Sequence, residues 1–248
     1  MLIEGFFCTY KGNREVNQDS LFIDGIIPEG LAGAEQFSFE ANYQELPIVV
    51  GVFDGLGGEG NGDTASNIAA QSMSYLKDKI NGTSNIAAEL IDWADAANRK
   101  IVESSLGKGA TTVAVTVIED NKVVFAHLGD SRAYMIRNGK IEYVTEDHTE
   151  AVWLKKMGLP PKSNNRLTRY LGMDSDGLII EPTINDSMRP EVDDCIVLCT
   201  DGIWNSITVQ ELMMCTSDKD PAGTLVRYAI DKGSTDNCTA IVLHVKNA

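Results

Sequence analysis

The spacing of apolar and polar positions along the 248-residue chain changes several times, and each change predicts an element. Leu2 to Thr9 reads as a strand, Lys11-Gly12-Asn13-Arg14 turns the chain, and Leu21 to Asp24 reads as a second short strand. Gly25 to Glu45 is weakly patterned and reads as a loop, after which Leu46 to Phe53 is an apolar run that predicts a buried strand. From Asp63 to Ile80 the spacing becomes helical, with Ala65, Ile68, Ala69, Met73, Leu76 and Ile80 on one face. Ile86, Leu90, Trp93, Ala94, Ala97 and Ile101 repeat that stripe, with Thr83 or Ser84 as N-cap. Both stripes are expected to face a core.

Strand patterns then return. Thr111 to Ile118 alternates, Glu119-Asp120-Asn121 turns, and Lys122 to Leu128 answers it. Arg132 to Arg137 and Lys140 to Val144 flank Asn138-Gly139, a type I′ hairpin signal. Glu150 to Met157 reads as a short helix, and Gly158 to Arg166, with Pro160-Pro161 and Asn164-Asn165, as a mobile loop. Asp194 to Cys199 predicts a strand ending in Thr200-Asp201-Gly202. Thr208 and Glu211 form a capping box for a helix through Met214, and Pro221 opens another that Gly233 can end. Ala240 to Val245 is the last strand. Hairpins imply antiparallel pairing, and helices need sheet faces to cover. With no repeat and no linker, the expectation is one α+β domain over residues 1–248, two stacked antiparallel sheets with helices outside.

Composition narrows the function. Hydrophobic and charged contents of 43% and 23% are ordinary for a globular protein, but the net charge is −15. That argues against nonspecific binding to nucleic acid or anionic membranes, both of which need basic surface. The acidic residues form no long block, which favours a solubilising surface over an acidic tail. Five cysteines without close C-x-x-C spacing read as buried hydrophobes in a reducing compartment, with neither zinc nor a disulfide framework indicated. No signal-peptide pattern opens the chain and no apolar stretch approaches membrane-spanning length, so a cytoplasmic protein is expected.

The candidate chemistry lies in aspartates. Val52-Phe53-Asp54-Gly55-Leu56-Gly57-Gly58 puts a carboxylate at a strand end beside glycines, which suits either a tight turn or a metal or phosphate site. Gly129-Asp130-Ser131, Thr200-Asp201-Gly202 and Thr235-Asp236-Asn237 repeat that context, and Asp19 stands just before a strand. One rim of an antiparallel sandwich can gather such residues. There they repel by about 4 kcal/mol per pair at about 4 Å and an effective dielectric near 20. Cations or protons must neutralise them, and all-oxygen donors favour Mg²⁺ or Mn²⁺ over zinc. Arg14 is the candidate to hold an anion. No Gly-Lys-Ser/Thr makes the glycines a P-loop. Of the three histidines, His127 and His244 lie in strand patterns, and His148, after Glu146-Asp147, is a candidate to orient a loop or carry a proton.

Arg14-Glu15-Val16-Asn17-Gln18-Asp19, Val52 to Gly58, Gly109-Ala110-Thr111-Thr112, Leu128-Gly129-Asp130-Ser131-Arg132, Thr200-Asp201-Gly202-Ile203-Trp204 and Asp236-Asn237-Cys238-Thr239 resemble, in order, the motifs of the type 2C metal-dependent protein phosphatases. The match runs from about Met1 to Val245. The chain's length and Leu167-Thr168-Arg169-Tyr170-Leu171-Gly172 resemble the bacterial branch. The resemblance implies a four-layer αββα sandwich, two Mn²⁺ or Mg²⁺ ions and, in many bacterial members, a third. The reaction it implies is hydrolysis of phosphoserine and phosphothreonine in phosphoproteins by metal-activated water. Asp54 would bridge the ions, Asp201 and Asp236 would hold the first, and the Gly55 carbonyl the second. Asp19 would act directly or through water, Asp130 would serve the third ion, and Arg14 would grip the phosphate. A monomer opposing a Ser/Thr kinase is expected, with substrate choice in the Glu150 to Arg169 loop. Two positions depart from the pattern: Leu56 replaces a histidine proposed as general acid in many eukaryotic members, and Gln18 replaces a common glutamate. A catalytically dead phosphoprotein binder would lack a core aspartate, and a structural Ca²⁺ protein would carry a D-x-D-x-D-G loop; neither mark is present.

Overall fold

The computed structural model describes every residue except 29, 32–35, 58–60, 84, 106, 161–165, 175–176, 178 and 248. Gly58, the alternative cap Ser84 and the centre of the Gly158 to Arg166 loop therefore lie outside the described residues. The strands are β1 (Leu2–Tyr10), β2 (Asp19–Ile23), β3 (Gln36–Tyr43), β4 (Ile48–Leu56), β5 (Ala110–Thr111), β6 (Val113–Ile118), β7 (Val123–Leu128), β8 (Arg132–Arg137), β9 (Lys140–Val144), β10 (Thr183–Met188), β11 (Cys195–Cys199) and β12 (Cys238–Asn247). The helices are α1 (Asn61–Ile80), α2 (Ile86–Ser105), α3 (Glu150–Lys156), α4 (Asp201–Trp204), α5 (Val209–Cys215) and α6 (Pro221–Asp231).

Two sheets form, ordered β3-β1-β12-β11-β8-β9 and β10-β7-β6-β4-β2, with β5 paired to β4. All pairings within them are antiparallel. Strand alternation distributes the apolar side chains among three cores. Along β4, Val49 and Phe53 point outward to meet Met73, Leu90 and Trp93 of α1 and α2. Ile48, Val50 and Val52 point inward, between the sheets, with Phe7, Phe125, Met135, Leu198 and Ile241. On the far side Tyr134, Val197 and Val242 meet Leu212, Leu225 and Val226 of α5 and α6. The result is the expected αββα layering.

The hairpin turn has left-handed φ at Asn138 and Gly139, as a type I′ turn requires. The Thr208–Glu211 capping box and Pro221 in the first turn of α6 are also present. Two local expectations are corrected. Asn85, not Thr83, caps α2, its Oδ1 accepting from the Ala88 amide at 3.2 Å. Gly25 to Glu45 is not all loop, because Gln36–Tyr43 is an edge strand on β1. Its Phe37, Phe39, Ala41 and Tyr43 pack against the inter-sheet core, while the polar residues between them weakened the signal. β10, a polar strand that no apolar pattern announces, pairs with β7 at the edge of the second sheet.

Candidate active site

The alternation that fills the inter-sheet core also builds the site at one end of it. Two residues on from Val52, Asp54 keeps the inward face of β4, and Asp19 does the same on β2, in register opposite Asp54. Cross-strand partners on one face stand about 5 Å apart at Cβ, so these carboxylates face each other. On the other sheet the inward positions at the same end are Thr200 and Thr239, and both hydroxyls donate to Asp19 Oδ2, at 2.9 and 2.5 Å. The apolar core thus ends in a layer of hydroxyls, then carboxylates.

Loops complete the rim. Asp201 opens α4 directly after β11, and Asp236 stands just before β12. Asp130 lies in the β7–β8 turn, where Gly129 takes φ of +96°. Asn237 pins the Arg14 loop: its amide nitrogen donates to the Lys11 carbonyl at 2.7 Å and its oxygen accepts from the Gln18 amide at 2.9 Å. Arg14 itself is half-exposed and donates to Asp236 at 2.7 Å. The Gly109 to Thr112 motif fastens the Asp54 backbone: the Thr112 amide and Thr111 hydroxyl both donate to its carbonyl at 2.9 Å. Gly55 is required by close approach, since a Cβ there would stand 2.3 Å from the Gly62 carbonyl oxygen and 2.5 Å from that of Gln18. Gln18 donates its side-chain amide to the Gly57 carbonyl at 3.1 Å, and so serves the turn.

Mutual charge repulsion marks the five aspartates as one group. Burial, then the charges of Asp19, Asp201, Asp130 and Asp236, raise the Asp54 carboxyl well above its ordinary value. Burial lifts Asp19 to about 7 against the two threonine hydrogen bonds. Asp130 also rises to about 7, through burial and then Asp201 and Asp147. Asp201 is raised by burial and then by the charge of Asp236. So Asp19, Asp54, Asp130, Asp201 and Asp236 come together, with Gly55 beside Asp54 and Arg14 at the edge.

His148 is a loop-orienting residue. Its Nδ1 accepts from the Gly129 amide at 3.2 Å, its own amide donates to the Gly129 carbonyl at 2.8 Å, and its ring stacks on His127 with centroids 4.4 Å apart. The residues missed as partners, Thr200, Thr239, Asn237 and Trp204, all stood inside quoted motifs. For Thr200 and Thr239 the signal was strand parity carried past the apolar positions Leu198 and Ile241; for Trp204, in the helix after β11, no strand period applies. Arg132 forks onto Asp147 at 2.7 and 2.8 Å, a contact no local pattern announces.

The donors are all oxygens, and too many are anionic to persist without countercharge. Among the described residues no three His, Cys, Asp or Glu side chains surround one point closely enough to hold an ion unaided. Asp19 is turned to the threonines and Asp236 to Arg14. Such a set fits hard ions that take a few carboxylates and keep several waters, as Mg²⁺ does, and not a zinc cage.

Residues 36–220 match the family model described as Protein phosphatase 2C. PhpP of Streptococcus pneumoniae is 30% identical over 208 residues, covering 77% of this chain and 82% of PhpP. The serine/threonine protein phosphatase PstP of Mycobacterium tuberculosis is 29% identical over 204 residues, 77% of this chain but 39% of PstP, so the chain spans well under half of that relative. The crystal structure of the PstP catalytic domain in complex with two manganese ions superposes with a TM-score of 0.76 over 100% of both chains, at 23% identity, which shows a common fold. With three quarters of its length inside the family model, the chain belongs to the protein phosphatase 2C family.

Proposed function

We propose that this chain is a protein-serine/threonine phosphatase that hydrolyses phosphoserine and phosphothreonine with two Mn²⁺ or Mg²⁺ ions. The observation that carries this is the convergence of Asp19, Asp54, Asp130, Asp201 and Asp236 at one end of the sandwich, with Asp54 facing the other four charges. Asp54 would bridge the ions, Asp201 and Asp236 hold the first, the Gly55 carbonyl the second, and Asp130 a third; Asp19 acts directly or through water. Held there, two such ions would supply Lewis acidity, to activate a water and neutralise phosphoryl oxygens.

The chain's own residues do the rest. Arg14, exposed and long enough to leave Asp236, offers its guanidinium fork to the phosphate. Asp19 is held by the Thr200 and Thr239 hydroxyls, which fixes the orientation in which it would meet an ion or its water. Leu56 supplies no proton, so protonation of the leaving group falls to water. The family relationship supports phosphoproteins as substrates. A cognate bacterial Ser/Thr kinase, a cytoplasmic location and a monomeric single domain over residues 1–248 complete the proposal. Among the described residues no helix is long and apolar enough to cross a membrane.

The test is hydrolysis of a phosphothreonine peptide with Mn²⁺ and with excess EDTA. Mn²⁺-dependent release of phosphate, abolished by EDTA, is expected; turnover that survives EDTA overturns the assignment.

A further inference from the structure

We propose that Trp204 and Arg132 are positioning residues that lock Asp130 to the Asp201 helix, and so set the affinity for a divalent ion on the Asp130 side of the site. The proposal rests on the metal-dependent function above, but its contacts are independent of it. Trp204 ends the short helix that Asp201 begins. Its indole Nε1 donates to the Asp130 backbone carbonyl at 2.9 Å. The face of the same indole carries the Arg132 guanidinium, 3.5 Å from the ring centroid. One side chain from the Asp201 helix therefore grips the Asp130 segment at two points, two residues apart.

Arg132 is in turn fixed from outside. Its Nε and Nη2 form a fork onto Asp147 at 2.7 and 2.8 Å. The neighbouring His148 closes both backbone groups of Gly129, through its Nδ1 at 3.2 Å and its amide at 2.8 Å. Gly129, Asp130 and Arg132 are thus held in succession by His148, by Trp204 and by Asp147 with Trp204. Arg132, forked and stacked, is not free to meet a phosphate, and that leaves Arg14 as the exposed guanidinium beside the carboxylates. Second-sphere groups that orient ligands typically alter metal affinity about 10- to 100-fold when removed.

The experiment uses the whole chain with Trp204→Phe, which keeps an aromatic face but loses the N–H, and Arg132→Lys, which keeps the charge but loses the fork. Metal-stripped parent and variants are titrated with Mn²⁺ in a calorimeter without substrate, well below their melting temperatures. Mn²⁺ dependence of phosphothreonine-peptide hydrolysis is measured in parallel. Weakened Mn²⁺ binding by about tenfold in both variants is expected, with a matching rise in the Mn²⁺ needed for half-maximal rate and kcat restored at saturating Mn²⁺. Isotherms that overlay the parent's, or a fallen kcat that saturating Mn²⁺ does not restore, overturn the proposal. If one variant does not fold, the other decides. If the parent binds Mn²⁺ but leaves the peptide intact, the phosphatase assignment fails, and the calorimetric comparison still decides the role of Trp204 and Arg132.

Discussion

Strand β11 has an aspartate beyond each end, and the two meet opposite fates. At one end Asp194, wholly buried in its side chain, receives the Arg137 fork at 2.8 Å on both oxygens and the Glu191 amide at 2.7 Å. At the other, Asp201 faces Asp54 and Asp236, with Arg14 the cation that eases its charge. A buried carboxylate with its own guanidinium is a finished contact whose desolvation is offset by hydrogen bonds and charge. Crowded carboxylates sharing one exposed arginine are unfinished, and under the proposed function an ion would complete the set. Countercharge separates the two ends.

The largest expected effect breaks the unfinished end. Asp54→Asn should lower Mn²⁺-dependent turnover by about 10³-fold or more, since the ions supply several kcal/mol of charge stabilisation. The same substitution removes one repelling charge, so the melting temperature of the metal-free protein should hold or rise. A fall in both would make Asp54 a structural residue. Next, Asp194→Asn should cost roughly 3 kcal/mol of stability, as breaking a buried ion pair does, measured by denaturant unfolding. Its turnover and Mn²⁺ requirement, assayed where both proteins are folded, should match the parent's; a changed Mn²⁺ requirement would mean that the two ends are coupled.

The smallest effect sharpens the border between them. Burial, then His127, Arg169 and Lys156, lower His148 from 6.5 to about 3. Below pH 6.5 the unfolded chain takes up a proton that the folded ring refuses, so this contribution to stability is present above about 6.5. It is lost as pH falls toward 3, by roughly 1.4 kcal/mol per unit. His148→Gln should remove that slope. The comparison is between parent and variant, because Asp19 and Asp130, raised to about 7, act in the opposite sense: their stabilising protonation is lost as pH rises through 7. Parallel stability curves for the two proteins would show that His148 is not held neutral.

Much of this was legible in the sequence, for a physical reason. Four strand ends carried aspartates in small-residue turns and Asp19 stood just before another strand, and period-two alternation puts Asp54 on the face of Val52 and Asp19 on the face of Leu21. Thr200 and Thr239 follow by the same parity, so their role was encoded though unread. The strand Gln36–Tyr43 was hidden because half its positions are polar on an edge, and Thr183–Met188 because its apolar content is slight. Arg132 with Asp147, and Trp204 with Asp130, join segments 15 and 74 residues apart, and no local period reports such pairs.

The central claim is that the carboxylate rim is built to be completed by cations, and Mn²⁺ titration of the metal-stripped chain by calorimetry tests it most directly. The parent should bind two or more ions per chain and melt at a higher temperature with them, while Asp54→Asn, folded, should lose both responses. A parent that takes up no Mn²⁺, or an Asp54→Asn variant that binds as many ions as tightly, would contradict it.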